Sequence, residues 1–233
     1  MDHAGNADLP KRIFSILAFG VTVLIWRWLA RQNHLVWLNP IVALGGPILV
    51  LPVTWLGRAA LDRNSTSAHA SAVTRLVHFA VMTLMGAALI CAALASAQAG
   101  WALIPFPPRI ADWLTWITGV ALLATVLNLA ARGLGAPFAI ALSKRLATDW
   151  MYARTRNPML LCLFAFLICS GLRMRSALFV GWVVVVSIPV MLIFVRFYEE
   201  RELQIRFGPA YLQYRAGTPM LLPRLRRNSV RAS

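Results

Sequence analysis

Long runs of apolar residues, separated by short polar stretches, dominate the chain. Six such runs can be read along the sequence, at residues 13–30, 36–56, 76–98, 110–131, 158–172 and 176–197. A run of about 20 apolar residues can cross the hydrocarbon core of a bilayer as an α-helix, which satisfies its own backbone polar groups. The alternation of apolar and polar residues that is typical of β-strands is absent. The pattern therefore predicts an all-α integral membrane protein.

The fifth run is shorter than the others. Its 15 residues would form a helix about 22 Å long at about 1.5 Å per residue, which is less than the hydrocarbon core of a bilayer. We expect it to form a tight helical hairpin with the sixth run, turning at Arg173 to Arg175. Two arrangements remain open, one with six crossings and one with five in which this hairpin does not fully cross. In both, a cytoplasmic C-terminal helix follows the sixth run.

Charge predicts the orientation of these helices. Hydrophobic residues make up 59% of the chain and charged residues only 13%, against about 25% charged in soluble domains. With six crossings, 18 of the 23 lysines and arginines lie on the side that holds both termini and the 132–157 connection. The positive-inside rule predicts that this side is cytoplasmic, and we expect a bacterial inner membrane. Anionic lipid headgroups are the expected partners of the basic residues, since no nucleic-acid-binding module is visible.

The polar chemistry of the chain is concentrated in its C-terminal half. We divide the chain into N-terminal transmembrane helices (1–131), a C-terminal region (132–225) and a basic tail (226–233). The three cysteines lie in apolar runs without a CxxC pair, and the histidines are isolated in the sequence. No metal site is therefore predicted.

Two polar clusters flank the last hairpin. Asn157 and Pro158 suit the N-cap and the first turn of a helix that begins the fifth run. The sixth run should continue as a helix through Glu199, Glu200 and Leu203. A tight hairpin would then bring both clusters together at the cytoplasmic surface.

A plainer interpretation of the acidic residues remains open. Glu199 and Glu200 could pair with Arg196 three and four positions away, and Glu202 with Arg206, as solvated charges at a helix end.

The C-terminal half resembles a known enzyme family. The segment "YARTRNPM", followed by an apolar hairpin and "EERELQIRFGPAYLQYRAGTPMLLP", is similar to the isoprenylcysteine carboxyl methyltransferase family, in particular to its bacterial branch of integral membrane methyltransferases. The resemblance covers about residues 132–225, and it implies that this part of the chain is a catalytic region with cofactor-binding motifs. It implies transfer of a methyl group from S-adenosylmethionine to a lipophilic acceptor embedded in the membrane, by carboxylate O-methylation or amine N-methylation.

The resemblance also implies which residues form the site. The implied cofactor-binding residues are Arg156, Asn157, Pro158, Glu199, Glu200 and Leu203, and the implied catalytic residues are Arg196, Glu200 and Tyr152. Carboxylates are strong acceptors for the cofactor's ammonium and ribose hydroxyls, and Arg156 at a helix N-terminus suits its carboxylate. Tyr152 is the candidate base if the acceptor is an amine, because no histidine lies in this part of the sequence.

Departures from the family pattern leave the acceptor open. Trp150 and Met151 stand where a Gly-Pro pair is usual, and Leu160 stands where a tyrosine is usual. Two other functions remain as alternatives. One is an NADPH-dependent membrane reductase acting on a sterol-like lipid, whose C-terminal region can look similar. The other is a non-enzymatic membrane transporter or partner protein, although few polar residues lie within the first four runs.

Overall fold

The chain folds into a bundle of α-helices, seen in a computed structural model that describes residues 9–31, 36–100, 102–131 and 146–223. The helices are α1 (Leu9–Arg31), α2 (Leu38–Arg63), α3 (Ser67–Ala99), α4 (Pro108–Ala131), α5 (Pro158–Arg173), α6 (Ala177–Trp182), α7 (Ile188–Phe194) and α8 (Glu200–Gly217). A short 3-10 helix, Trp150–Ala153, precedes α5. Within the described ranges no strand is present, and the all-α prediction is confirmed there.

Four helical stretches are long and apolar enough to cross a membrane. They are Leu38–Arg63, Ser67–Ala99, Pro108–Leu129 and Ala177–Gly217. Ile16–Leu29 and Pro158–Arg173 are shorter apolar helices, which agrees with the short fifth run of the sequence. These helices support the assignment to membrane proteins, while the number of crossings and the orientation remain predictions.

Helices α6, α7 and α8 form one continuous helical stretch. Two π-helical turns, Val183–Ser187 and Val195–Glu199, join the three pieces. The predicted continuation of the sixth run through Glu199, Glu200 and Leu203 is confirmed. Regular geometry ends within α8 at Gly208, whose φ of 56° and ψ of −132° are not helical. Such a left-handed backbone favours glycine, and it redirects the chain from Pro209 onward.

Close backbone contact holds α2 against α3. A Cβ atom added to Gly46 would lie 2.7 Å from the carbonyl oxygen of Leu84 and 2.9 Å from the Cβ of Ala88. Small residues at a helix crossing allow this close approach in membrane proteins. The main buried cluster lies beside this contact and includes Val50, Leu61, Val77, Phe194 and Tyr198.

The predicted tight hairpin between the fifth and sixth runs is present. Helix α5 ends at Arg173 and α6 begins at Ala177, and a Cβ added to Gly171 would lie 2.6 Å from Cγ2 of Val180. The backbone N–H of Ala177 also donates to the carbonyl oxygen of Ala102 at 2.8 Å. The start of α5 and the point at which α7 continues into α8 therefore lie together at the opposite end of the hairpin, as predicted.

Candidate functional site

The two polar clusters are joined by a buried ion pair. Nη1 of Arg156 donates to Oε1 of Glu200 at 2.6 Å, and the two side chains are only 11% and 10% exposed. The same Nη1 donates to the hydroxyl of Tyr211 at 3.2 Å, and Arg215 lies 3.5 Å from the other oxygen of Glu200. The predicted meeting of Arg156 with the glutamates is thus confirmed for Glu200.

The segment before α5 is held by the chain that follows α8. The backbone N–H of Arg156 donates to the carbonyl oxygen of Pro219 at 2.9 Å. The side chains of Thr155 and Asn157 both donate to the carbonyl oxygen of Met220, at 3.2 and 3.0 Å. These bonds fix the backbone on both sides of the Arg156 guanidinium, which therefore points at Glu200 in a defined position.

Asn157 lies at the N-cap position of α5, as predicted, although its side chain forms no capping hydrogen bond. Its amide is instead bonded to Met220. Pro158 begins α5, as predicted, and its side chain is fully buried.

Tyr152 is anchored through its backbone and keeps its hydroxyl protonated. The hydroxyl of Tyr214 donates to the carbonyl oxygen of Tyr152 at 2.7 Å, a contact that the redirection of the chain at Gly208 makes possible. Burial, together with the nearby Glu199 and Cys162, raises the pKa of the Tyr152 phenol to about 12. A phenol with that pKa is a hydrogen-bond donor at neutral pH, so the geometry favours a donor role over the base suggested by sequence.

Glu199 contacts a histidine from the N-terminal half of the chain. Oε1 of Glu199 lies 3.0 Å from Nε2 of His78 in α3. The other ring nitrogen of His78 lies 3.0 Å from the carbonyl oxygen of Thr74. No histidine lies in this part of the sequence, and the one at the site comes from α3. The available signal was a histidine inside an otherwise apolar membrane run, which is a functional candidate by default.

Aromatic rings fix the position of this histidine. Its ring meets the Phe194 ring edge-on, at 5.4 Å between centroids, and the Tyr198 ring lies 6.3 Å away. The hydroxyl of Tyr198 is 3.0 Å from the hydroxyl of Thr74, and both side chains are buried. His78 therefore has a single well-defined orientation toward Glu199.

The remaining predicted residues differ in their pairing and in their exposure. Glu202 and Arg206 form the i,i+4 ion pair of 2.6 Å that the plainer interpretation expected, but their side chains are only 5% and 9% exposed, so this pair is buried rather than solvated. Arg196 is exposed, and in the described part of the chain it forms no ion pair with Glu199 or Glu200. Leu203 is half-buried one turn after Glu199.

The two departures from the family pattern have structural consequences. Trp150 has a φ of 53°, a left-handed conformation that glycine adopts more readily. Its side chain is 51% exposed, so its bulk is not inserted among the buried residues of the site. Leu160 is buried in the main core.

Two polar atoms at this site have no protein partner within the described residues. Nε of Arg156 is buried without a hydrogen-bond acceptor, and only Oε1 of Glu199 is bonded, in a side chain that is 27% exposed. Among the described residues, Nε of Arg156 is thus an unpaired but buried donor, and the second oxygen of Glu199 is an acceptor in a partly exposed side chain. No group of three or more metal-ligating side chains occurs in the part of the chain that the structure describes.

Three comparisons with known proteins found no match for the chain. No protein-family model, no curated protein and no solved structure matches the chain. These comparisons therefore identify no family for the chain.

Proposed function

We propose that the protein is an integral membrane methyltransferase that transfers the methyl group of S-adenosylmethionine to a lipophilic acceptor. The observation that carries this proposal is the ion pair between Arg156 and Glu200. It joins two motifs whose paired residues are 44 positions apart. The residue types in these motifs, and the order of the motifs along the chain, are similar to those of the isoprenylcysteine carboxyl methyltransferases. An ion pair that is about nine-tenths buried is costly to desolvate. This cost is more easily understood if the pair belongs to a binding site than if it has no functional role.

The surroundings of the two glutamates suggest different roles for them. Both oxygens of Glu200 face arginines, Arg156 and Arg215, so we assign Glu200 to holding the Arg156 guanidinium in place. Glu199 has an available oxygen and is partly exposed. It is the better acceptor for the ammonium or the ribose hydroxyls of the cofactor, because a charged acceptor strengthens such bonds.

Arg156 would bind the opposite end of the cofactor. Its buried Nε has no acceptor among the described residues, and a carboxylate is the natural partner of a guanidinium. The residues present therefore fit a ligand with one carboxylate and one ammonium group. When bound, S-adenosylmethionine would supply an electrophilic methyl group, which the protein must align with the acceptor. Alignment alone can lower a barrier by about 7–11 kcal/mol.

The acceptor would approach from the lipid. Arg196 and Phe197 are exposed and are separated from the two glutamates only by the buried Tyr198, and an arginine that faces lipid could contact an anionic headgroup. We therefore assign Arg196 to the acceptor rather than to the cofactor. We further propose that this end of the bundle and both termini face the cytoplasm of a bacterial inner membrane, following the 18 basic residues predicted for that side.

Calorimetric titration of S-adenosylmethionine into the detergent-purified chain tests the proposal. We expect saturable binding, and Glu199→Gln should weaken it about 10- to 100-fold, because a charge-assisted hydrogen bond contributes about 1.5–3 kcal/mol. Asp62→Asn is the matched control. It converts a carboxylate that pairs with Arg58 and Arg201, outside the proposed site, and should leave the affinity unchanged.

Two results would contradict the proposal. One is the absence of binding by the folded wild type, and the other is equal affinity in the wild type and the Glu199→Gln variant. Titration of NADPH in the same cell distinguishes the reductase alternative, which requires binding of NADPH and not of S-adenosylmethionine.

A further inference from the structure

The ring of His78 is fixed by contacts that do not involve Glu199. Nδ1 of His78 donates to the carbonyl oxygen of Thr74 at 3.0 Å, since a carbonyl oxygen only accepts hydrogen bonds. The Phe194 ring meets the imidazole edge-on, and the Tyr198 ring lies beside it. The hydroxyl of Tyr198 in turn lies 3.0 Å from the hydroxyl of Thr74. The direction of the imidazole is therefore set by α3 and by the two aromatic rings.

The carboxylate of Glu199, by contrast, has one hydrogen-bond partner among the described residues. Its Oε1 lies 3.0 Å from Nε2 of His78, and its side chain is 27% exposed. Glu200, the next residue, has arginines at both of its oxygens. Fixing a free glutamate side chain costs conformational entropy. The hydrogen bond from a ring that is already fixed offsets this cost, so His78 orients Glu199 rather than the reverse.

The hydrogen bond runs from the imidazole to the carboxylate. An ionised carboxylate only accepts hydrogen bonds, so Nε2 of His78 donates to Oε1 of Glu199. Because Nδ1 also donates, His78 uses both of its ring nitrogens as donors beside the ionised carboxylate. One oxygen of Glu199 is thus occupied, and Oε2 is the oxygen that a ligand can reach.

Resting on the methyl transfer proposed above, we propose that His78 is a positioning residue for the cofactor. Its Nε2–H holds Oε1 of Glu199, so that Oε2 is directed at the hydrogen-bond donors of S-adenosylmethionine. His78 acts through Glu199 in this assignment and contacts neither the cofactor nor the methyl acceptor.

The proposal extends the site into the N-terminal half of the chain. Two contacts join α3 to the π-helical turn Val195–Glu199, one between Thr74 and Tyr198 and one between His78 and Glu199. The paired residues are 124 and 121 positions apart. The packing of α3 against this turn therefore determines where the carboxylate of Glu199 lies.

A purely structural role for His78 makes the opposite prediction for two substitutions. If the ring only filled space beside Phe194 and Tyr198, leucine would replace it better than glutamine, whose amide is costly to bury without partners. If the ring positions Glu199, glutamine is the better replacement, because its amide N–H can donate to the carboxylate in place of Nε2–H.

Calorimetric titration of S-adenosylmethionine into the detergent-purified full chain compares these variants. We expect His78→Leu to weaken binding about 10- to 30-fold, the effect of releasing one glutamate side chain. His78→Gln should stay within about threefold of the wild type. His69→Leu, on the same helix but bonded to the carbonyl of Ala60, is the matched control and should bind as the wild type does. Circular dichroism confirms that each variant is folded.

A binding cycle with Glu199→Ala tests whether His78 acts through Glu199. In that background no carboxylate remains to be positioned, so His78→Leu should change the affinity less than about twofold. A second readout needs no ligand. In protein labelled with ¹⁵N-histidine, the Nε2 resonance that is absent from His78→Gln should shift in Glu199→Ala, because its hydrogen-bond acceptor is lost.

Three results would overturn the inference. They are weaker binding by His78→Gln than by His78→Leu, a loss in His78→Leu that persists in the Glu199→Ala background, and an Nε2 resonance that Glu199→Ala does not move. Absence of S-adenosylmethionine binding by the folded wild type would instead refute the methyltransferase itself. The two failures are therefore distinguishable.

Discussion

Substitutions at Arg156 and Glu200, which form the buried ion pair, should be strongly coupled in their effects on the free energy of unfolding. Both side chains are about nine-tenths buried and their atoms approach to 2.6 Å. Removal of one partner leaves a buried charge, which typically costs about 3–5 kcal/mol. In Arg156→Met, the Glu200 carboxylate would retain only Arg215, at 3.5 Å and 43% exposed, and such an exposed partner offsets about 1 kcal/mol at most. We therefore expect each single variant to be destabilised by about 3 kcal/mol.

The double variant should recover much of this loss. Arg156→Met with Glu200→Leu leaves no uncompensated charge between the two positions, and apolar replacement of a buried ion pair is often nearly neutral. We expect a coupling free energy of about 2–4 kcal/mol from the complete double-mutant cycle. The free energy of unfolding would be measured by reversible titration with SDS in mixed micelles, with circular dichroism as the signal.

An exposed ion pair of the same chain provides the reference. Arg173 and Asp112 also approach to 2.7 Å, but their side chains are 64% and 51% exposed. The corresponding cycle at that pair should give a coupling of about 0.2–1 kcal/mol. Equal coupling at the two pairs, or additive losses in the Arg156 and Glu200 variants, would refute the argument that burial makes the site pair strong.

Two further predictions concern backbone and packing. A Cβ at Gly57 would lie 2.8 Å from Cε2 of Tyr198, so Gly57→Ala should lower the free energy of unfolding by about 1–3 kcal/mol in the same SDS titration. Gly45 lies in open space, so Gly45→Ala should be neutral or stabilising by about 0.5–1 kcal/mol. Equal effects at both glycines would disprove the close contact. Trp150 has a positive φ, so Trp150→Gly should be more stable than Trp150→Ala by about 1 kcal/mol. Both variants remove the indole, but only glycine relieves the strain of the left-handed backbone. An alanine variant that is the more stable of the two would contradict this prediction.

The helices and the meeting of two clusters could be predicted from the sequence because lipid leaves little choice. Backbone groups in a bilayer must be satisfied within each segment, so apolar runs indicate helices directly. A short connection between the fifth and sixth runs then brings the neighbourhood of Arg156 close to Glu200. Both steps depend on local sequence alone.

The contact with His78 could not be predicted because it depends on how α3 is rotated about its axis. A helix that is apolar on all sides gives no sign of which face is directed inward, and His78 is 121 residues from Glu199 in the sequence. The π-helical turn at Val195–Glu199 adds to the difficulty. Its extra residue per turn changes the direction in which the following side chains point, so spacing counted at 3.6 residues per turn fails across it.

The bonds between Asn157 and Met220 and between Thr155 and Met220 also determine when the site can form during synthesis. They join residues 63 and 65 positions apart, and the carbonyl of Pro219 is required for the backbone of Arg156 as well. The ribosome completes these acceptors only after every apolar run has been made, so the membrane helices can insert while the Arg156 segment still lacks its anchor. A nascent chain arrested before Pro219 would carry the whole set of apolar helices without an ordered site, and the emergence of a few residues after α8 would complete it.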